Sequence, residues 1–194
     1  MSRVFVGLGL SDEARRGVEK VVKKLKRAHW KVKWEKPEKW HVTLAFLGSI
    51  DQKQLEKVKM IVRETVRMNE GFELGLKGLG AFPDLFLPKL LWLGLNGDLK
   101  SMYALQKGLK VRLEKEGFDL GKGKFQPHVT LGRVSRNAGR KERIEVGKYI
   151  SKNLRIDTPQ TWLIDKVMVY ESVLHHSGSE YRSLGVYNLS AYSE

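Results

Sequence analysis

The chain has 194 residues, 41% apolar and 30% charged, with 5 Pro and no Cys, a composition that excludes a disordered polymer, a disulfide scaffold, a thiolate metal site and a cysteine nucleophile. Thirty-six Lys and Arg against 22 Asp and Glu give a formal net charge of +14, which favours phosphate-bearing partners. No apolar run approaches the ~20 residues that span a bilayer and no signal-type leader precedes SDEARRGVEK, so the expected setting is cytoplasmic with no membrane partner.

RVFVGLGL, from Arg3 to Leu10, has the Val, Phe and Leu content of a strand. Ser11 then offers an N-cap, Asp12 and Glu13 complement the helix dipole, and Ala14, Val18, Val21, Val22, Leu25 and Ala28 recur at helical steps. KWHVTLAFLG, from Lys39 to Gly48, predicts a second strand. It is followed by a helix whose apolar stripe is Leu55, Val58, Ile61, Val62 and Val66, ending near Asn69 and Gly71. Strands are expected over Phe72 to Leu79 and Leu90 to Leu95, parted by the loop AFPDLFLPK. A helix from about Leu99 to Glu116 stops at Gly117. QPHVTLGRV, from Gln126 to Val134, is again a strand; a short helix over Lys141 to Asn153 and strands over Trp162 to Tyr170 and Tyr181 to Leu189 complete the chain. The order predicts an α+β protein of two related lobes rather than a doubly wound sheet.

Two of the five histidines therefore sit in the same word, HVTL. Side chains alternate along a strand, so His41 and Thr43 share one face while Val42, Leu44 and Phe46 take the core face. His128, Thr130 and Gly132 share a face in the second copy, opposite Val129 and Leu131. Ala45 and Gly132 are small and are expected to leave room for a ligand. Two imidazoles of ordinary pKa, near ~6.5, hold about one proton between them at neutral pH. If both strands face one cleft, that suits in-line displacement at phosphorus with one histidine as general base and the other as general acid. The threonines would donate to the phosphate, and Arg133 would add a charge-assisted pair.

Other residues read more plainly. Neither HVTL word carries further ligands at metal spacing, so no metal site is expected. His175 and His176, in HHSGSE, read as solvated turn residues. Among Trp30, Trp34, Trp40 and Phe125, most of which read as packing residues, Trp34 and Phe125 are the preferred candidates for stacking against a base. GLKGLGAF and LGKGKF lack the GK[ST] ending of a phosphate loop and read as turns.

With these motifs in view, the chain resembles the two-histidine phosphoesterase superfamily, and within it the RNA 2′,3′-cyclic phosphodiesterases once called 2′-5′ RNA ligases. The matching words run along almost the whole chain: RVFVGLGL, FLG, GAFP, LLWLGL, FQPHVTLGRV and ESVLHHSGSEYRSL. The resemblance implies a single domain over residues 1–194, built of two intertwined, pseudo-symmetric lobes. Antiparallel sheets would line a central cleft with helices outside, each lobe donating one HxT. It implies metal- and cofactor-free hydrolysis of a terminal 2′,3′-cyclic phosphate to a 2′-phosphate, with reversible 2′-5′ joining in some members. RNA bearing such ends, tRNA fragments included, would be the partner of a monomeric protein. On matching positions, His41 would be the proton donor, His128 the proton acceptor, and Thr43, Thr130 and Arg133 the phosphate ligands. Strict alternation puts Arg133 opposite His128, so its role requires a bulge or strand end. The alternatives are a phosphodiesterase of small cyclic nucleotides or nucleotide-sugar phosphates, and a non-catalytic RNA-binding module.

Overall fold

A computed structural model describes residues 1–153, 157–175 and 178–191. Among them the chain runs β1 (Ser2–Gly9), α1 (Asp12–Lys26), β2 (Val32–Trp34), β3 (His41–Ile50), α2 (Gln52–Arg67), β4 (Phe72–Phe82) and β5 (Leu90–Gly97). It continues with α3 (Leu99–Lys115), β6 (His128–Val134), α4 (Arg140–Lys152), β7 (Asp157–Ile164), β8 (Lys166–His175) and β9 (Gly178–Asn188). No helix among the described residues is long and apolar enough to cross a membrane.

The first three helices start where side chains satisfy orphan backbone donors. Ser11 accepts from the Ala14 amide, Asp98 accepts from that of Ser101, and Asp51 and Gln54 form a reciprocal capping box. Each helix buries one stripe; in α2 it is Leu55, Val58, Ile61, Val62 and Val66, with Thr65 closing its hydroxyl on the Ile61 carbonyl. These stripes join Val4, Val6 and Leu8 of β1 and Leu91 and Leu93 of β5 in one apolar core.

The strands form an antiparallel sheet of order β7-β4-β5-β6-β3-β1-β8-β9, with β2 added beside β6. The sheet divides at its middle, where β3 and β6 touch through the single pair Val42↔Val129. On each side the HVTL strand lies beside the strand that precedes it by one helix: β1 beside β3 across α1, and β5 beside β6 across α3. The chain then crosses over. β4, which follows the first motif's helix α2, pairs with β5 in the other half, and β8 returns to pair with β1.

Several expectations are corrected here. GLKGLGAF is not a turn but part of β4; Gly78 adopts φ +77 at a register shift, and Gly80 leaves space that the Trp92 ring fills. LGKGKF does lie in irregular chain, with Gly121 at φ +73. The single strand expected over Trp162 to Tyr170 is two, β7 and β8, parted at Asp165. His175 ends β8, with Nε2 3.2 Å from Glu180 Oε2, and His176 lies outside the described residues.

Candidate active site

The Val42↔Val129 pair fixes the geometry of the cleft. Both valines are fully buried, so their neighbours along each strand turn to the opposite face. Continuing the antiparallel register by one residue sets His41 across from Thr130 and Thr43 across from His128. All four line one cleft of about 190 Å³, together with Arg133, Phe5 and Tyr181. Gly7 of β1 permits this approach, since a Cβ there would stand 2.8 Å from the Val42 carbonyl oxygen and 3.5 Å from His41 Cδ2.

The fourth letter of each HVTL word is a bulge. The partners of β1 step from Ala45 to Thr43, skipping Leu44, and those of β5 step from Gly132 to Thr130, skipping Leu131. Each bulge shifts the alternation by one residue. Leu44 and Ala45 are consequently both buried, as are Leu131 and Gly132, and the residue three after each threonine returns to the cleft. In the second copy that residue is Arg133, so its position is consistent with the phosphate role despite strict alternation. In the first it is Phe46, which the sequence assigns to the core but which is 49% exposed on the cleft. The small residues part company: Ala45 is buried against the core but also lines the concavity that adjoins the cleft, whereas Gly132 accommodates β2, since a Cβ there would stand 2.8 Å from Val32 Cγ1.

The two imidazoles are held alike. Nδ1 of His41 lies 2.6 Å from the Lys39 carbonyl oxygen and Nδ1 of His128 lies 2.7 Å from that of Gln126, each two residues back. A carbonyl can only accept, so Nδ1 carries the hydrogen and Nε2 is left as the working nitrogen. His41 Nε2 is 3.0 Å from Thr43 Oγ1.

Their surroundings differ. His41 is walled by Phe5, Tyr181 and Tyr170, with ring centroids at 4.7, 5.2 and 6.0 Å. This burial pushes its pKa down to about 4, opposed by the Lys39 carbonyl and helped by the charges of His128 and Arg15. His128 faces Phe82 and Trp92 at 5.1 and 6.1 Å. Burial lowers its pKa too, the Gln126 carbonyl opposes the shift, and Arg133 adds to it. The expectation of two ordinary imidazoles is thereby corrected: both favour the neutral form in the free protein.

Arg133 is 63% exposed at the cleft rim, with Nε 3.9 Å from Glu35, which also faces Lys39 at 3.9 Å. Glu35, Lys39, Phe5 and Tyr181 are cleft residues that sequence reasoning missed, although Tyr181 falls within the word ESVLHHSGSEYRSL. Trp34 pairs with Gly132 on β2 and packs against the core, away from the cleft lining. Phe125 lines an adjoining groove, edge-on to Tyr103 at 5.7 Å. No group of three or more His, Cys, Asp or Glu among the described residues has the arrangement to hold a metal ion.

A curled antiparallel sheet carrying two HxT words on one cleft is the architecture of the two-histidine phosphoesterases, and comparison with known proteins agrees. Residues 8–92 match the family model described as LigT like Phosphoesterase. The chain is 29% identical over 187 residues to the RNA 2′,3′-cyclic phosphodiesterase of Methanothermobacter thermautotrophicus, covering 96% of this chain and 98% of that one. It is 33% identical over 135 residues to the protein of the same name from Aquifex aeolicus, covering 68% and 70%. A crystal structure of a Thermus thermophilus protein shares the fold, with a TM-score of 0.83 at 22% identity over 97% of this chain and 98% of that one. The chain belongs to the LigT-like phosphoesterase family.

Proposed function

We propose that the protein is an RNA 2′,3′-cyclic phosphodiesterase that opens a terminal cyclic phosphate to a 2′-phosphomonoester, using only its own side chains. The observation that carries this reading is the β3–β6 seam, which brings two imidazoles and two threonine hydroxyls into one cleft of about 190 Å³. The names of the curated relatives support the substrate class.

In this scheme water attacks phosphorus in line with O3′ and gives its proton to Nε2 of His128 as the new P–O bond forms. The P–O3′ bond breaks, and the proton on Nε2 of His41 passes to the departing O3′. Thr43 and Thr130 donate hydrogen bonds to the non-bridging oxygens and Arg133 adds a charge-assisted one. Because both imidazoles favour the neutral form, His41 takes up from solvent the proton it delivers when the substrate binds, since the phosphate anion raises the pKa of the histidine it touches. Two interwoven halves of one domain thus carry acid and base. A 5′-hydroxyl in place of water would give a 2′-5′ junction, so reversible ligation is the same chemistry with another nucleophile. The reading is of a monomeric, cofactor-free protein of the cytoplasm that acts on RNA ends, tRNA fragments among them.

The test is incubation of the purified protein, in excess EDTA, with an oligoribonucleotide ending in a 2′,3′-cyclic phosphate. A 2′-phosphate product is expected. A 3′-phosphate would reverse the leaving oxygen, and activity that vanishes with EDTA and returns with a divalent metal would overturn the side-chain mechanism.

A further inference from the structure

A second concavity of about 600 Å³ opens directly off the reaction cleft, sharing Thr43, Phe46 and His128 with it. Its floor is the bulged stretch of β3 from Leu44 to Phe46. One wall is α3, through Gln106 and Lys110, and the other is the irregular segment from Leu120 to Gln126. Gln106 ties wall to floor through its amide, which donates to the Leu44 carbonyl at 3.3 Å. Gly117 at φ +86 turns the chain out of α3, Gly121 at φ +73 bends the second wall, and Leu120 and Phe125 anchor it on the core.

The chemistry of this lining is one-sided. It holds three ammonium groups, Lys110, Lys122 and Lys124, and no carboxylate. Lys110 faces Glu114 at 3.6 Å, whereas Lys122 and Lys124 have no acidic partner among the described residues. Between the charges lie apolar and aromatic surfaces, Leu120, Phe82 and Phe125. A lone phosphate does not need 600 Å³ or aromatic walls, and an apolar ligand does not need unpaired ammonium groups. A single nucleic-acid strand needs both, with cations tracking its backbone and flat surfaces against its bases.

We propose that this groove binds the RNA strand immediately 5′ of the terminal cyclic phosphate, with Lys122 and Lys124 pairing with its phosphodiesters. The proposal rests on the phosphodiesterase reading for the position of the reacting end, and it deepens that reading by making a polynucleotide, not a mononucleotide, the preferred substrate. The strand must lie on the 5′ side, because a substrate ending in a cyclic phosphate has nothing on the other. The same groove gives Phe125 a place against a base that the small reaction cleft does not.

The test has two arms. In the first, kcat/KM is measured for a nucleoside 2′,3′-cyclic phosphate and for oligomers of increasing length with the same end, using the parent and a Lys122→Ala/Lys124→Ala variant. The parent is expected to favour the oligomers, and the variant to lose most of that preference while its mononucleotide kcat/KM stays unchanged. A parent without length preference, or a variant that loses both activities in proportion, overturns the proposal. In the second arm, binding of an oligomer ending in a 3′-phosphate is followed by fluorescence anisotropy, which needs no turnover. Loss of two phosphate contacts should flatten the plot of log K against log salt by about 1.4, at ~0.7 per contact to a single strand, and Lys122→Arg/Lys124→Arg should restore it. An unchanged slope removes the groove from RNA binding. A changed slope with no hydrolysis of any cyclic end by the parent leaves the groove standing and overturns the phosphodiesterase reading instead.

Discussion

The depressed pKa of His41 makes folding stability depend on pH in a calculable way. Folding holds this imidazole neutral down to about pH 4, whereas in the unfolded chain it titrates near ~6.5. Between those values the unfolded chain binds more protons, so the contribution is complete above about pH 6.5 and is lost as pH falls through the window. From the two pKa values, about 2 kcal/mol disappears between about pH 7.5 and 5.0 through His41 alone, with a limiting slope of ~1.4 kcal/mol per pH unit. The assay is urea unfolding of the parent and of His41→Gln at a series of pH values. Glutamine removes the titration, and its loss of the imidazole contact with the Lys39 carbonyl is a pH-independent offset that leaves the slope untouched. The parent is expected to lose about 2 kcal/mol more than the variant over this interval. Parallel curves would refute the reasoning, because the aromatic wall of Phe5, Tyr170 and Tyr181 would then not be drying the ring.

His41→Ala and His128→Ala should each lower turnover by roughly 10²–10⁴-fold with RNA affinity largely kept, the scale of a positioned acid or base, and Thr43→Ala or Thr130→Ala should cost less; near-normal turnover in both histidine variants would make the imidazoles structural. Since burial lowers both pKa values in the free protein, the optimum of kcat/KM should lie on the acid side of ~6.5, with that of kcat displaced upward by the bound phosphate; a kcat/KM that climbs steadily into the alkaline range would point to hydroxide attack on a merely bound phosphate.

What the sequence disclosed was what depends on neighbours along the chain. Three- and four-residue spacings located α1, with its Ser11 cap, and α2, and alternation located Val42 and Val129 in the core and His41, Thr43, His128 and Thr130 away from it. What it concealed depends on neighbours across the sheet. A bulge is a property of pairing, so nothing in HVTLAF announces that Leu44 is skipped by β1 and that Phe46 turns outward. Glycine is equally ambiguous: GLKGLGAF has turn composition, yet Gly80 serves the close approach of Trp92 from β5. β2 is three residues long, too short to show a period, and it pairs with β6 over Gly132 to Val134, beyond the single pair that β3 makes at Val129. One signal was available and unread: Arg133 and Phe46 stand at the same distance from Thr130 and Thr43, so whatever returned one to the cleft would return both.

That pair also bears on which imidazole gives the proton and which takes it, a choice the identical HVTL words cannot make. Arg133, three residues after Thr130, adds positive charge beside His128, which favours its neutral form, the form that the proposed base requires. Phe46, at the same station after Thr43, brings no charge, and with Phe5 and Tyr181 it leaves His41 in the drier part of the cleft. An anion's pull on a proton is strongest where the least water screens it. The incoming phosphate therefore acts most on the imidazole that resists charge most when alone, and once protonated a group of low intrinsic pKa is also the better donor. The deeper burial of His41, which outweighs the effect of Arg15 on it, and the guanidinium of Arg133 beside His128 therefore both favour the proposal that His41 is the acid and His128 the base.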